Sequence, residues 1–149
     1  VFLPSIKESI NAAFKQIVRW AKIAEFAEII IAEDDIKFCD EGAFDYFLKK
    51  KPKYFDIYLG GIYTGTIRED NTVYSWSGMH LYVVSERYYD TFLSVPYAEH
   101  IDRAQSGLGK FIVCNPFAAV QFNGFSQNTK KDEDYDRLLN GRELYKKIN

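Results

Sequence analysis

The segment EIIIA, Glu28–Ala32, is the feature that most constrains the fold of this chain. Three consecutive isoleucines without polar alternation are typical of a β-strand that is covered on both faces. Such a strand needs helices packed on its sheet, and apolar residues with helical spacing precede and follow it. The pattern therefore predicts an α/β fold in which helices flank a mixed sheet.

Hydrophobic periodicity locates the other elements. A helix is predicted over residues 4–24, started by a capping box of Ser5 and Glu8. Further helices are predicted over residues 40–51, 85–93, 102–108 and 135–148. Strands are predicted in FDIYL, FIVCNPF and AAVQF, with antiparallel structure over residues 63–84 and a loop in NGFSQNTKKDED.

Composition narrows the class of protein. A chain of 149 residues with 17% aromatic and 27% charged residues predicts one folded domain. The formal charge of −2 supplies no whole-chain basic field for nucleic acid. Cys39 and Cys114 form neither a zinc motif nor a disulfide framework, which favours a reducing compartment and hence a cytoplasmic location. No apolar run is long enough to predict a membrane span.

Glu33, Asp34 and Asp35 follow the isoleucine strand directly. Ligands of open α/β sheets bind beyond the carboxyl ends of the strands, so the triplet falls where a site is expected. Alternation along an extended chain predicts Glu33 and Asp35 on one side and Asp34 on the other. Clustered carboxylates repel unless a cation offsets them, and oxygen ligands suit Mg²⁺ or Mn²⁺. The alternative is that the acids cap the next helix and face water.

A receiver-like signalling domain is one family with acidic residues at such a strand end. A receiver also needs a phosphate-accepting Asp at the end of a later strand. Here Asp56 comes too early, at the start of FDIYL, and the order of helix and strand before Glu33 differs. The receiver is therefore a remote alternative.

A second resemblance covers most of the chain. The ordered segments IIIAEDDIKF, FDIYLGG, YVVSERYYDTFL after a glycine, HID and NPFAAVQFNGFSQ resemble glycosyltransferase family 25, the lipopolysaccharide-biosynthesis type with a GT-A fold. That family shows an EDD at a strand end, a D-x-x-x-L-G strand, an I-D pair before a helix, and a late Pro, Gln and Ser. Counterparts run from Ala12 to about Gln127. The order of the motifs is more specific than any one of them.

The resemblance implies transfer of a sugar from a nucleotide-diphosphate donor to a hydroxyl of a glycan or lipopolysaccharide-type acceptor, in bacterial or viral surface-glycan synthesis. It implies Mn²⁺ or Mg²⁺ as cofactor, because a divalent cation stabilises the charge on the leaving diphosphate. Asp35 is then the direct metal ligand, and Glu33 and Asp34 contribute through the metal, a water or the ribose. His100 is a further candidate metal ligand, or else a histidine at the surface or core edge.

Asp102 is the candidate general base. The acceptor hydroxyl must lose a proton, which requires a carboxylate within hydrogen-bond reach. Asp102 opens a predicted helix in the HID segment, so a role as helix N-cap is the alternative.

Several further residues are candidates for substrate contacts. Gly60, Gly61 and Gly78 would let a substrate approach the backbone closely, unless they are ordinary turn glycines. Gln121 and Ser126 match the late Gln and Ser of the family, where polar contacts to donor or acceptor are expected.

Two aromatic residues and two lysines carry more ambiguous signals. Trp76 and Tyr63 would stack on a sugar ring or pack in the core. Lys130 and Lys131 would contact a diphosphate or belong to a solvated loop.

The start of the sequence bears on the type of function. A GT-A domain normally begins with a strand and a helix that grip the nucleotide base, whereas this chain begins at the later helix. The expectation is therefore a GT-A-like mixed sheet that lacks this unit. A non-catalytic or truncated nucleotide-sugar- or carbohydrate-binding module of the same fold is the competing function.

Overall fold

The computed structural model describes residues 9–96, 100–126, 129–139 and 141–149. Ser5, Glu8 and Gln127 lie outside these ranges. In chain order the helices are α1 (Ser9–Ile23), α2 (Ala43–Lys50), α3 (Tyr89–Ser94), α4 (Ile101–Ala104) and α5 (Tyr135–Leu138), with a 3₁₀ turn at Glu86–Tyr88. The strands are β1 (Glu28–Ala32), β2 (Ile36–Phe38), β3 (Ile57–Leu59), β4 (Thr64–Gly65), β5 (Thr72–Val73), β6 (Trp76–Ser77), β7 (Leu81–Ser85), β8 (Phe111–Val113), β9 (Ala119–Gln121), β10 (Gly124–Ser126) and β11 (Lys131–Glu133).

A five-stranded mixed sheet with the order β1-β7-β3-β8-β5 lies at the centre of the described structure. The pair β3–β8 is parallel, and the other three pairs are antiparallel. Consequently β1, β3 and β8 point the same way, and their carboxyl ends lie at one end of the sheet. The pairs β2–β9, β4–β6 and β10–β11 add short ribbons. The predicted mixed α/β class is confirmed.

Two apolar cores cover the two faces of the sheet. The α1 helix buries Phe14 against Tyr82 of β7, with ring centroids 5.5 Å apart. The α2 helix buries Phe47 against Tyr58 of β3, with stacked rings 4.6 Å apart. Neighbouring residues of β7 alternate between the two cores, as Tyr82 and Val83 do. The strands covered on both faces are therefore β3 and β7.

The prediction that EIIIA is covered on both faces is wrong. β1 is an edge strand, in which Ile31 is buried while Ile30 is 44% exposed. Consecutive isoleucines reflect the preference of β-branched side chains for extended backbone, and that preference holds at an edge as well as in the centre of a sheet.

Helix boundaries differ most at the C-terminal end. The helix predicted over residues 135–148 is limited to one turn, α5. Gly141 has φ +78°, a left-handed conformation that interrupts a helix. Beyond it the backbone pairs with Phe117, whose N–H donates to Glu143 and whose carbonyl accepts from Tyr145. Long-range hydrogen bonds thus replace those of the predicted helix.

The predicted loop NGFSQNTKKDED contains a hairpin, because β10 and β11 pair in it from Gly124–Glu133 to Ser126–Lys131. In α2, Phe47 is buried, whereas Phe44 and Leu48 are each 39% exposed, although all three are apolar. Among the residues described, no helix is long and apolar enough to cross a membrane.

Candidate functional site

The acidic triplet forms the turn between β1 and β2. The N–H of Glu33 donates to the carbonyl of His80 at 2.9 Å, just before β7. The N–H of Phe122 donates to the carbonyl of Asp35 at 2.9 Å, just after β9. Both ends of the turn are therefore held by neighbouring strands, at the end of the sheet where β1 and β3 terminate.

Gln121 joins Glu33 and Asp35. Its side-chain Nε2 donates to Glu33 Oε2 at 2.8 Å and lies 3.1 Å from both carboxylate oxygens of Asp35. Gln121 is itself buried, so the amide is a fixed part of the site. The predicted sharing of one side by Glu33 and Asp35 is confirmed, and Asp34 is exposed.

Asp102 reaches the same region from α4. Its Oδ2 accepts from the N–H of Gly78 at 2.9 Å, and its Oδ1 accepts from the N–H of Arg103 at 2.8 Å. Gly78 has φ +112°, which a residue with a side chain rarely adopts. The N-cap position of α4 belongs to His100, so the N-cap alternative for Asp102 is wrong. Asp102 instead holds the segment that leads into β7.

The site has an excess of negative charge. Burial raises the pKa of Glu33 to about 8, and the nearby charges of Asp35, Asp34 and Asp102 add to the effect. In the described ranges no Lys or Arg forms an ion pair with these four carboxyl groups. Burial and the neighbouring carboxylates thus oppose the ionisation of Glu33, and a bound cation would offset both effects.

A metal cage is not assembled around these acids. Within the part of the chain that the structure describes, no group of three or more His, Cys, Asp or Glu side chains is placed to hold a metal ion. His100 is exposed. The oxygen donors of Glu33 and Asp35 suit Mg²⁺ or Mn²⁺ chemically, while the amide N–H of Gln121 is directed at the same oxygens.

Two tyrosines extend the site towards Ser126. The hydroxyl of Tyr63 accepts from the backbone N–H of Gln121 at 3.0 Å. The rings of Tyr63 and Tyr135 stack with centroids 5.0 Å apart. Burial raises the pKa of the Tyr135 hydroxyl, the charge of Asp35 raises it further, and a hydrogen bond with the side chain of Ser126 lowers it. Tyr135 was missed by the sequence reasoning, since nothing distinguishes it from the other ten tyrosines.

His80 is a second residue that the sequence reasoning missed. Its Nε2–H donates to the carbonyl of Ala119 at 2.8 Å, and burial lowers its pKa to about 4. The imidazole is therefore neutral and ties the start of β7 to β9. No motif signals this role, because it depends on a contact between residues 39 positions apart.

Gly60 and Gly61 are buried and surrounded by protein. A Cβ on Gly60 would lie 2.7 Å from Leu81 Cδ2, and one on Gly61 would lie 2.7 Å from the carbonyl oxygen of Ala119. The close approach that requires glycine is thus made by β7 and β9. Both positions therefore require glycine because of packing within the fold, and not because a substrate approaches the backbone there, as predicted.

Gly61→Ala is expected to destabilise the fold by about 1–3 kcal/mol, because overpacking would push β9 and His80 away. Urea unfolding would measure the loss. Gly60→Ala is the comparison, since its contact is a Leu side chain that can shift, and we expect a smaller loss. If Gly61→Ala were as stable as the wild type, the close contact between position 61 and the carbonyl oxygen of Ala119 would be contradicted.

The remaining candidates for substrate contacts are Trp76, Lys130 and Lys131. Trp76 is 1% exposed and lies 4.4 Å from the Phe111 ring, so the prediction of a sugar platform is wrong and the core-packing alternative holds. Lys130 and Lys131 are exposed around the β10–β11 connection, and Lys131 pairs with Glu133 at 3.6 Å.

A surface depression of about 470 Å³ opens directly after Tyr63. Its lining consists of Thr64, Gly65, Thr66, Arg68, Tyr74 and Ser75. The lining includes none of the acidic triplet, so this depression does not enclose the acidic turn.

Comparison with protein-family models, with curated proteins and with solved structures gives no match to this chain. A functional assignment must therefore come from the geometry and chemistry of the site.

Proposed function

We propose that this chain is a metal-dependent glycosyltransferase of the GT-A type, with its reaction centre at the β1–β2 turn. It would move a sugar from a nucleotide-diphosphate donor to a hydroxyl of a glycan acceptor. The mixed sheet is compatible with this class of fold, and the site is rich in carboxyl groups.

The convergence of Glu33, Asp35 and Gln121 carries the proposal. The resemblance assigns these residues to one site although up to 88 positions separate them, and the Gln121 amide contacts both acids. Asp102, from a third segment, is close enough for its charge to raise the pKa of Glu33. Such a cluster of acids, which has no Lys or Arg in an ion pair with it in the described part of the chain, supports a site for a cation or for hydroxyl groups rather than a purely structural role.

Asp35 and Glu33 would hold Mn²⁺ or Mg²⁺. The cation would relieve the repulsion among the carboxylates and stabilise the charge that develops on the departing diphosphate. Gln121 would orient the two acids, as outer partners of ligands do. Asp102 remains the candidate base, since a carboxylate has about four lone-pair sites and two accept backbone hydrogen bonds here.

Asp35→Asn is expected to weaken the binding of Mn²⁺ with a nucleoside diphosphate by at least about tenfold, because a direct ligand contributes no less than an outer partner. Calorimetric titration of Mn²⁺ with UDP, GDP and CDP would measure this. Asp132→Asn, which removes the same charge from an exposed strand, is the control. Negligible binding by the wild type and both variants would refute the proposal.

A non-catalytic binding module is the second candidate function. It is favoured by the engagement of both Asp102 oxygens with backbone N–H groups, which leaves less capacity to take a proton. Hydrolysis of a nucleotide-sugar separates the two candidates. Binding of Mn²⁺ and nucleotide without metal-dependent release of sugar would identify the module, whereas release that Asp102→Asn abolishes would identify the transferase.

A further inference from the structure

Basic side chains gather at the end of the sheet opposite to the acidic turn. Lys53 precedes β3 and Lys110 precedes β8, and these parallel strands begin at the same end. Arg87 follows β7, which runs in the opposite direction, so it lies at this end too. The acids Glu28, Asp56 and Glu86 lie at this end as well, and the first two are paired with Lys51 and Arg87.

Four exposed lysines form the charged part of this surface, which we call the basic patch. They are Lys49, Lys50, Lys53 and Lys110. Among the described residues none of them forms an ion pair, whereas Lys51 pairs with Glu28 and Arg87 pairs with Asp56. Asp56, three positions after Lys53, is the acid nearest to them in sequence and is paired with Arg87. Asp45 on α2 and Glu86 after β7 are in no ion pair among the described residues and offset two of the four charges, so the patch keeps a positive charge of about two.

Exposed apolar side chains accompany the lysines. Phe44 and Leu48 lie one turn apart on α2, and each is 39% exposed. Phe38, also 39% exposed, contacts Phe44 with ring centroids 5.4 Å apart. Tyr54 is 60% exposed and lies under two cations, with Arg87 3.7 Å and Lys110 5.1 Å from its ring centroid. Aromatic, aliphatic and basic side chains are therefore exposed together on α2 and on the segment that directly follows it.

We propose that the basic patch, with Phe44, Leu48 and Tyr54, docks this protein onto an anionic lipid surface. Lysines are attracted to acidic headgroups, and apolar side chains beside them can enter the boundary between headgroups and acyl chains. Tyrosine suits this boundary, because its ring is apolar and its hydroxyl stays in water. A nucleic-acid duplex would satisfy the lysines but would leave Phe44 and Leu48 exposed to water, and a single strand would stack its bases on aromatic rings but not cover Leu48, so the lipid surface fits better.

Docking through Lys53, Tyr54 and Lys110, which precede β3 and β8, leaves the acidic turn at the opposite end of the sheet. No membrane-spanning helix is needed, because the contact lies at the headgroup level. The inference does not rest on the proposed function, and lipid binding and nucleotide binding can succeed or fail separately.

Cosedimentation with vesicles tests the proposal. One set contains phosphatidylcholine alone, and in the other set a third of the lipid is phosphatidylglycerol. We expect strong binding to the second set only, weakened by added salt. The variant Lys49→Gln/Lys50→Gln/Lys53→Gln should lose roughly a hundredfold in affinity, at about fivefold for each lysine near the surface.

The control variant Lys130→Gln/Lys131→Gln/Arg137→Gln carries the same change in charge near the acidic end of the sheet and should bind like the wild type. A second variant, Phe44→Ser/Leu48→Ser, should reduce lipid binding and leave binding to an oligothymidylate unchanged. Circular dichroism checks that each variant is folded.

Three results would overturn the proposal. The first is equal binding to both sets of vesicles, and the second is an equal loss in the control variant. The third is binding to oligothymidylate as tight as binding to the anionic vesicles, which would assign the patch to a nucleic acid.

Discussion

Glu33→Gln is expected to stabilise the protein above pH 8 by about 3–5 kcal/mol. The pKa of Glu33 is raised from 4.5 to about 8 in the folded state, and each pKa unit corresponds to about 1.4 kcal/mol. Between these two values the folded protein binds more protons than the unfolded chain does. The stability of the wild type should therefore fall as the pH rises through this window. Gln keeps the shape of the side chain and carries no charge.

Urea unfolding at several pH values measures this effect. Glu33→Gln should flatten the loss of stability between neutral pH and pH 9, whereas Asp132→Asn, which removes an exposed charge, should leave the slope unchanged. His80 has the opposite linkage, because its pKa is lowered from 6.5 to about 4, so stability rises with pH in that range. Measurements above pH 7 therefore separate the contribution of Glu33 to stability from that of His80. An unchanged slope in Glu33→Gln would mean that its carboxyl is solvated.

Trp76→Ala is expected to destabilise the protein by about 3–5 kcal/mol, as truncation of a buried large aromatic side chain does. Trp76 is 1% exposed and packs on Phe111 in the larger core. Thermal and urea unfolding would measure the loss. A surface platform for a sugar ring would behave differently, with a stability change within about 0.5 kcal/mol.

Tyr74→Ala is the matched control, because Tyr74 lies two positions away and is 62% exposed. We expect little loss of stability in this variant. If Trp76→Ala were as stable as Tyr74→Ala, the indole would lie at the surface and the sugar-platform hypothesis would be restored.

Much of the local structure was predictable from the sequence. The apolar period of α1 and the strands at Ile57 and Phe111 appear close to their predicted places. Such features depend on a few neighbouring residues, since side-chain period and turn chemistry act over short distances. The grouping of Glu33 with Asp35 was likewise predictable, because they lie two positions apart.

Other features escaped prediction because distant residues decide them. Gly141 and the hydrogen bonds of Phe117 end the last helix after one turn. The positions of Tyr135 and His80 beside the acidic turn depend on ring stacking with Tyr63 and on a bond to Ala119. Propensity is a weak prior that such tertiary contacts override.

The sequence by itself determined most of the extended and helical segments and placed three carboxylates directly after a strand, since these properties are local. Only the tertiary structure decided that this strand lies at the edge of the sheet and that Gln121 and Asp102 meet the acids. It also decided that Trp76 belongs to the core and that lysines collect at the opposite end. Burial and electrostatic contact depend on which segments pack together, and strand order in a mixed sheet is set by contacts between residues far apart in the chain.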